Sequence, residues 1–299
     1  METTDAISVT CLLVVIISSI FGNILVCVAC ITTRELRSST TAFVVSLAVS
    51  DVLVGLVSMP FWVSVQTTGE PSVQKFPQIY TMWLCADIFL GTASIMNLMF
   101  VSLDRLIAVT RPLQYQSIMS RSRIGVAIVF LWLYSIVIAL IKMLKWPEYP
   151  LFVSITAFFG PLMITVVAYC IIFKVAMKQA RSIRVQVVRF AFTNRDLQGN
   201  SKKSMVTTFR QDMKAARTLS IIVGTFALCW CPFFVILLVF GYFKPSGAVF
   251  YPPLGSFVKW LHYGNSAMNP ILYACLNKRF RSAFKRILLG FYDKFSCSI

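Results

Sequence analysis

An all-α membrane protein is the fold class this sequence predicts, a bundle of seven transmembrane helices with a short amphipathic eighth. Three observations predict it. The 299 residues are 58% hydrophobic and only 13% charged, and the mean hydropathy is +0.77, too apolar for a water-soluble domain of this length. Apolar runs long enough to cross a hydrocarbon layer recur near 8–31, 41–65, 79–103, 123–145, 151–174, 218–242 and 252–275. The basic residues are also sorted: all but Lys75, Lys142, Lys145, Lys244 and Lys259 fall at span ends, connections or tail on one side of this arrangement. By the positive-inside rule that side is cytoplasmic, and the amino terminus is outside.

Each element has its own justification. Met1 to Ser8 is short and acidic with no basic segment before the first run, which therefore reads as a retained signal-anchor helix. Arg34 and Arg37 hold the first connection inside. The third run carries Asp87 and Asp104 on one helix, about 25 Å apart at the helical rise, so each carboxylate lies near an opposite membrane face. Arg105, Arg111, Arg121 and Arg123 mark the inner end of that helix and its loop. The basic stretch 181–211 contains the turn formers Gly199 and Asn200 without a sustained apolar period, and is expected to be a mobile cytoplasmic loop. After the seventh run, 277–289 places Phe280, Phe284, Ile287 and Leu288 on one face and Lys278, Arg281, Lys285 and Arg286 elsewhere, an amphipathic helix on the inner leaflet. Residues 1–290 thus form one membrane-spanning unit and 291–299 a cytoplasmic tail, in which Cys297 is either palmitoylated or an ordinary cysteine. The nine Cys are scattered, mostly in apolar runs, and read as small core residues. The net charge of +17 faces anionic lipid rather than nucleic acid.

Acidic and basic residues inside the bilayer are costly, so each needs a reason. They fall among specific motifs: Gly22-Asn23 in the first span; SLAVSD ending at Asp51, then Met59-Pro60-Phe61, in the second; TASIMNLMFVSLDR from Thr92 to Arg105 in the third. Trp132 marks the fourth span, and Pro161 and Tyr169 the fifth. The sixth reads FALCWCPFF from Phe226 to Phe234, and the seventh WLHYGNSAMNPILY from Trp260 to Tyr273. In this order and on these membrane sides, the chain resembles a rhodopsin-like (class A) G-protein-coupled receptor, nearest the biogenic-amine receptors for dopamine, serotonin, adrenaline and trace amines.

The resemblance implies roles. Arg105 would pair with Asp104 and with Asp212 at the foot of the sixth span, an interhelical lock; alternatively it snorkels to the headgroups. Leu106 stands where the family usually has Tyr. Asp51, with Ser94, Asn265, Ser266 and Asn269, would either hold a sodium ion or sit protonated in a polar network. Ile95, Pro161 and Phe226 would form a packing switch below Trp230, with Pro232 kinking the sixth span; Tyr169, Asn269, Pro270 and Tyr273 belong to the same activation machinery. Asp87 would take a protonated amine among Trp230, Phe233, Phe234, Trp260 and Tyr263, with Ser154 and Phe158 on the fifth span completing the pocket. Pro112 and Leu113 would enter a heterotrimeric G protein. An extracellular small molecule, membrane lipid, arrestin and a receptor kinase complete the implied partners. No cofactor is required, sodium being an allosteric ligand only.

The chain departs from that pattern twice. Lys259 lies one turn above Tyr263 on the same face, and either pairs with Asp87 or snorkels outward to water. Tyr80 occupies the position of a cysteine that usually ties the third span to the second outer loop, and that loop is reduced to about 145–150, KWPEYP. The alternative within the superfamily is a peptide or lipid receptor with an open pocket. An opsin would need its lysine where Tyr263 stands. A transporter or channel would need a continuous polar path, and an enzyme a nucleophile and base around His262, the single histidine; neither arrangement is visible.

Overall fold

Apolar runs in lipid can satisfy their backbone polar groups only by coiling, and helices are what these runs form. The computed structural model describes residues 3–36, 38–68, 77–193, 221, 223–240 and 252–296. In chain order the long helices are α1 (Thr3–Thr32), α2 (Ser39–Thr67), α3 (Pro77–Thr110), α4 (Arg121–Leu144), α5 (Tyr149–Lys178, continuing to Thr193), α6 (Val223–Phe240), α7 (Pro252–Leu276) and α8 (Lys278–Ser296). No strand occurs among the described residues. Helices α1 to α6 are long and apolar enough to cross a membrane. Helix α7 has the length but is interrupted by Lys259, His262, Asn265, Ser266 and Asn269. All five are buried, so its polar residues are turned into the bundle rather than toward lipid.

The ends of the helices follow local chemistry. Ser38 and Thr41 cap α2 reciprocally, side chain to backbone in both directions. Pro77 opens α3, where its missing N–H costs nothing, and Pro112 follows its last residue closely. Helix α3 is the hub, packed against α2, α4 and α5, while α1 packs on α2 and α7 and α8 folds back against α7 and α1.

Three irregularities shape the interior. The first two are π turns, Val54–Ser58 in α2 and Ser154–Phe159 in α5, which re-aim the residues beyond them. The Ser58 carbonyl accepts from the Trp83 indole at 3.0 Å and lies 3.5 Å from the Tyr263 hydroxyl, so this irregular turn ties α2 to α3 and α7. The third is Pro270, which has no N–H to bond the Ser266 carbonyl one turn back. Asn23 replaces it, its Nδ2 donating to Ser266 O at 3.0 Å and to Ser19 O at 2.9 Å. Gly22 allows that approach, since a Cβ there would stand 2.8 Å from Pro270 Cγ.

Some expectations need correction. The stretch from 181 is not irregular at its start, because α5 continues as helix to Thr193. No Gly or Pro occurs between Pro161 and Gly199 to stop it, and a basic helix can leave the membrane and remain helical in water. Helix α8 likewise runs on to Ser296 through the expected tail. Cys27 and Cys30, in C-x-x-C spacing on α1, are free thiols, and no disulfide occurs among the described cysteines. Where the usual outer disulfide is missing, Tyr80 packs on Trp83 with ring centres 5.3 Å apart. Trp83 in turn stacks on Phe61 and Trp62, so an aromatic cluster joins the same ends of α2 and α3.

Candidate functional site

Asp87 on α3 is 4% exposed, and both of its carboxylate oxygens are used. Oδ2 accepts from the Lys259 ammonium of α7, and Oδ1 accepts from the Tyr263 hydroxyl at 3.1 Å. Spacing on α7 explains the pair of donors, since positions 259 and 263 lie one turn apart on one face. Of the two alternatives for Lys259, the inward one is realised. Its Nζ lies over the rings of Trp83, Phe233 and Tyr263, each 5.2 to 5.3 Å from ring centre to nitrogen. The site is therefore an aromatic cage already holding an ammonium opposite a carboxylate.

Other residues expected at this site stand differently. Trp230 and Phe234 lie with Phe158 and Phe226 in an aromatic core, Phe158 and Phe234 being parallel at 4.5 Å and the Phe226 ring tilted against Phe158 and Trp230. Phe158 is fully buried there. Trp260 packs with the apolar cluster of Leu12, Val54, Met59, Leu90 and Tyr263. Ser154 is buried and its hydroxyl donates to the Pro150 carbonyl of its own helix at 2.6 Å. Between the cage and the aromatic core sits His262, 3% exposed, its ring 4.0 Å from Trp230 and 4.9 Å from Tyr263. Gly91 on α3 makes room for this pair, for a Cβ there would stand 2.7 Å from the Trp230 ring edge and 3.8 Å from His262 Nε2.

Deeper in the bundle, Asp51 is fully buried. It accepts from Ser266 at 2.8 Å, Asn269 Nδ2 at 2.7 Å and Ser94 at 3.5 Å. Asn265 of α7 is buried, with no partner for its Nδ2 among the described residues. Below, Ile95 and Phe226 belong to the main core with Trp230, Pro161 is buried, Tyr169 half-buried, and Tyr273 stacks on Phe280 of α8 at 5.2 Å.

At the far end of α3 the Arg105 guanidinium bonds Asp104 Oδ2 through Nη2 at 2.9 Å and Nε at 3.2 Å. Asp104 also accepts from the Thr40 hydroxyl of α2 and from Tyr115 Oη at 2.8 Å, Tyr115 lying in the one-turn helix Tyr115–Ile118. Burial raises the Tyr115 hydroxyl above its ordinary range, and the bond to Asp104 adds to the rise. Asp212 lies outside the described residues. Leu113 is 98% exposed and Pro112 is exposed beside it.

Residues 22–150 and 141–273 match the 7 transmembrane receptor (rhodopsin family). The chain belongs to that family. This receptor is 36% identical to the Histamine H2 receptor of Cavia porcellus, over 92% of its own length and 77% of the relative's. To the Histamine H2 receptor of Rattus norvegicus it is 35% identical, over 94% and 78%. To the Alpha-1A adrenergic receptor of Oryzias latipes it is 32% identical, over 91% and 64%. The family and the amine-receptor branch are those the motifs indicated, and the receptor is a multi-pass membrane protein whose family consists of receptors rather than enzymes.

Motif matching missed several partners of these residues: Trp83, Thr40, Tyr115, and His262 as part of the pocket. Trp83 had a signal, standing one turn before Asp87 on the same face of α3. Thr40 and Tyr115 had none, because only the packing of α2 and the loop onto α3 brings them to Asp104.

Proposed function

We propose that this receptor binds an extracellular ligand through the ligand's ammonium group at Asp87 and thereby activates a heterotrimeric G protein. The observation that carries this reading is the cage itself: a buried carboxylate faced by Trp83, Phe233 and Tyr263, with an ammonium, that of Lys259, held among them. A protonated amine gains an ion pair and cation–π contacts there that water does not offer. The relatives named for histamine and for adrenergic ligands favour the same ligand class.

Transmission runs from the cage through His262 and Trp230 to Phe226, so a ligand that shifts the Trp230 ring shifts α6. Outward movement of α6 exposes Arg105 to the partner's carboxyl-terminal helix, while Pro112 and the exposed Leu113 enter its surface. The amino terminus lies outside the plasma membrane and α8 on its inner leaflet, which fits the basic residues along α8. That same basic face would serve anionic lipid, arrestin and a receptor kinase. Asp51 with the hydroxyls of Ser94 and Ser266 offers an oxygen set suited to sodium, while Asn269 donates to Asp51 through nitrogen and orients the carboxylate. A bound sodium ion would supply the charge that balances Asp51.

Second-messenger output in cells given a panel of ammonium-bearing compounds tests this reading. Asp87→Asn should cost at least about a hundredfold in potency, ~3 kcal/mol, and Arg105→Ala should abolish signalling with surface expression intact. Undiminished responses in Asp87→Asn would rule the reading out.

A further inference from the structure

A pocket that already contains both members of an ion pair selects its ligand by charge balance. Asp87 and Lys259 are 4% and 9% exposed, so neither charge can be left to water if its partner is taken away. A simple monoamine that captures Asp87 strands the Lys259 ammonium beside a second cation in the same aromatic cage. A simple carboxylate that captures Lys259 strands Asp87. A neutral molecule leaves the pair closed and finds no charged anchor. Only a molecule with one charge of each sign opens the pair and leaves no charge unpaired.

We propose that the ligand is a small zwitterion of the free amino-acid type, whose ammonium takes Asp87 and whose carboxylate takes Lys259. This rests on the reading above that Asp87 binds the ligand's ammonium. The arrangement replaces one internal ion pair by two across the ligand. The lysine stem supplies the needed movement: it is four carbons long and flexible, and its side chain keeps 11% exposure, so the ammonium withdraws along α7 while staying bound to the ligand carboxylate. The ligand's ammonium then occupies the space between Trp83, Phe233 and Tyr263 that Lys259 vacates.

The floor of the pocket narrows the class further. Among the described residues, His262 Nδ1 and Trp230 Nε1 are buried without a hydrogen-bond partner, on rings 4.0 Å apart. Buried polar atoms of this kind are costly when left unpaired. Gly91 removes the side chain that would otherwise crowd this corner. An amino acid whose side chain carries a polar group to that depth satisfies atoms the protein leaves open, which favours aromatic or heteroaromatic polar side chains over aliphatic ones.

Matched pairs that differ only in the carboxylate test the proposal: histidine and histamine, tyrosine and tyramine, tryptophan and tryptamine. Each is applied to cells expressing wild type, Lys259→Met, Lys259→Arg and Asp87→Asn, with responses normalised to surface expression. The expected result in wild type is that, for at least one pair, the amino acid is more potent than its amine by about tenfold or more. Lys259→Met reverses that order, Lys259→Arg keeps it, and Asp87→Asn loses both members. The arginine variant keeps the cation, and so keeps the test standing if the methionine variant fails to reach the surface. Asp87-dependent responses in which the amine is the more potent member of every responding pair, or an order that Lys259→Met leaves unchanged, overturn the zwitterion and leave the ammonium reading intact. Silence to both members of every pair, or responses that survive Asp87→Asn, overturns the two together.

Discussion

The two carboxylates of α3 each pair with a cation and with hydroxyl donors, but in different surroundings. Asp87 is bound by a full positive charge, so removing it alone leaves Lys259 uncompensated inside the bundle. Asp87→Asn is expected to lower stability by ~3 kcal/mol and the double change Asp87→Asn/Lys259→Met to recover most of that, read as thermal unfolding midpoints in detergent. Asp104 is held by three side chains at once, from Thr40, Arg105 and Tyr115. Tyr115→Phe removes one donor and is expected to raise ligand-independent nucleotide exchange severalfold without loss of expression. The sign of the Tyr115 shift matters here: its proton is held more tightly in the folded chain, so the bond persists below the ordinary tyrosine range and is lost only as pH rises through the raised value. Ligand-independent exchange should therefore show no Tyr115-dependent step between about pH 6 and 9. At this scale the sequence displayed Asp87, Asp104 and Arg105, because charges in apolar runs stand out. It left Lys259 with two alternatives, since a long flexible side chain at that height reaches either carboxylate or water, and only the rotation of α7 against α3 decides.

Helices meet through small residues and irregular turns whose effects are large for their size. Gly22→Ala would push a methyl to within 2.8 Å of the Pro270 ring, a rigid neighbour, and separate α1 from α7. The expected loss is about 1–3 kcal/mol, visible as a lower unfolding midpoint. Gly91→Ala acts elsewhere, displacing the Trp230 ring from His262 and altering ligand-independent signalling more than stability. Apolar runs in the sequence marked all seven spans, but run length alone did not show that α7 differs from the other six in turning a polar face into the bundle. The π turns of α2 and α5 were not legible, because one extra residue in a turn leaves composition unchanged. Pro60 and Pro161, which stand just beyond them, were read as motif residues. The continuation of α5 to Thr193 is hidden for a different reason: basic charge and the loss of an apolar period end a membrane span but not a helix, and the turn formers Gly199 and Asn200 lie beyond Thr193.

Across the whole molecule three polar stations are stacked through an apolar bundle: Asp87 with Lys259, Asp51 with Ser266 and Asn269, and Asp104 with Arg105. Helix α3 carries the first and last of these acids, and α7 supplies partners to the upper two, so relative motion of these helices is felt directly at the Asp87 and Asp51 stations. A ligand and a G protein that each prefer the opened bundle must raise each other's affinity by the same factor. Replacing external sodium by potassium should shift ligand potency in wild type and not in Asp51→Asn, if Asp51 holds the ion. The order of the spans and the receptor class were legible because many weak motifs fell in sequence at the right depths. Ligand chemistry was only half legible, because it depends on how Lys259 and Asp87 meet. The decisive experiment is guanine-nucleotide exchange on purified heterotrimeric G protein by wild type and Asp87→Asn in lipid nanodiscs, each with the ammonium-bearing compounds active in cells. Acceleration in wild type that Asp87→Asn lacks, although it remains folded, is the predicted result. Equal acceleration in both would contradict a ligand site at Asp87.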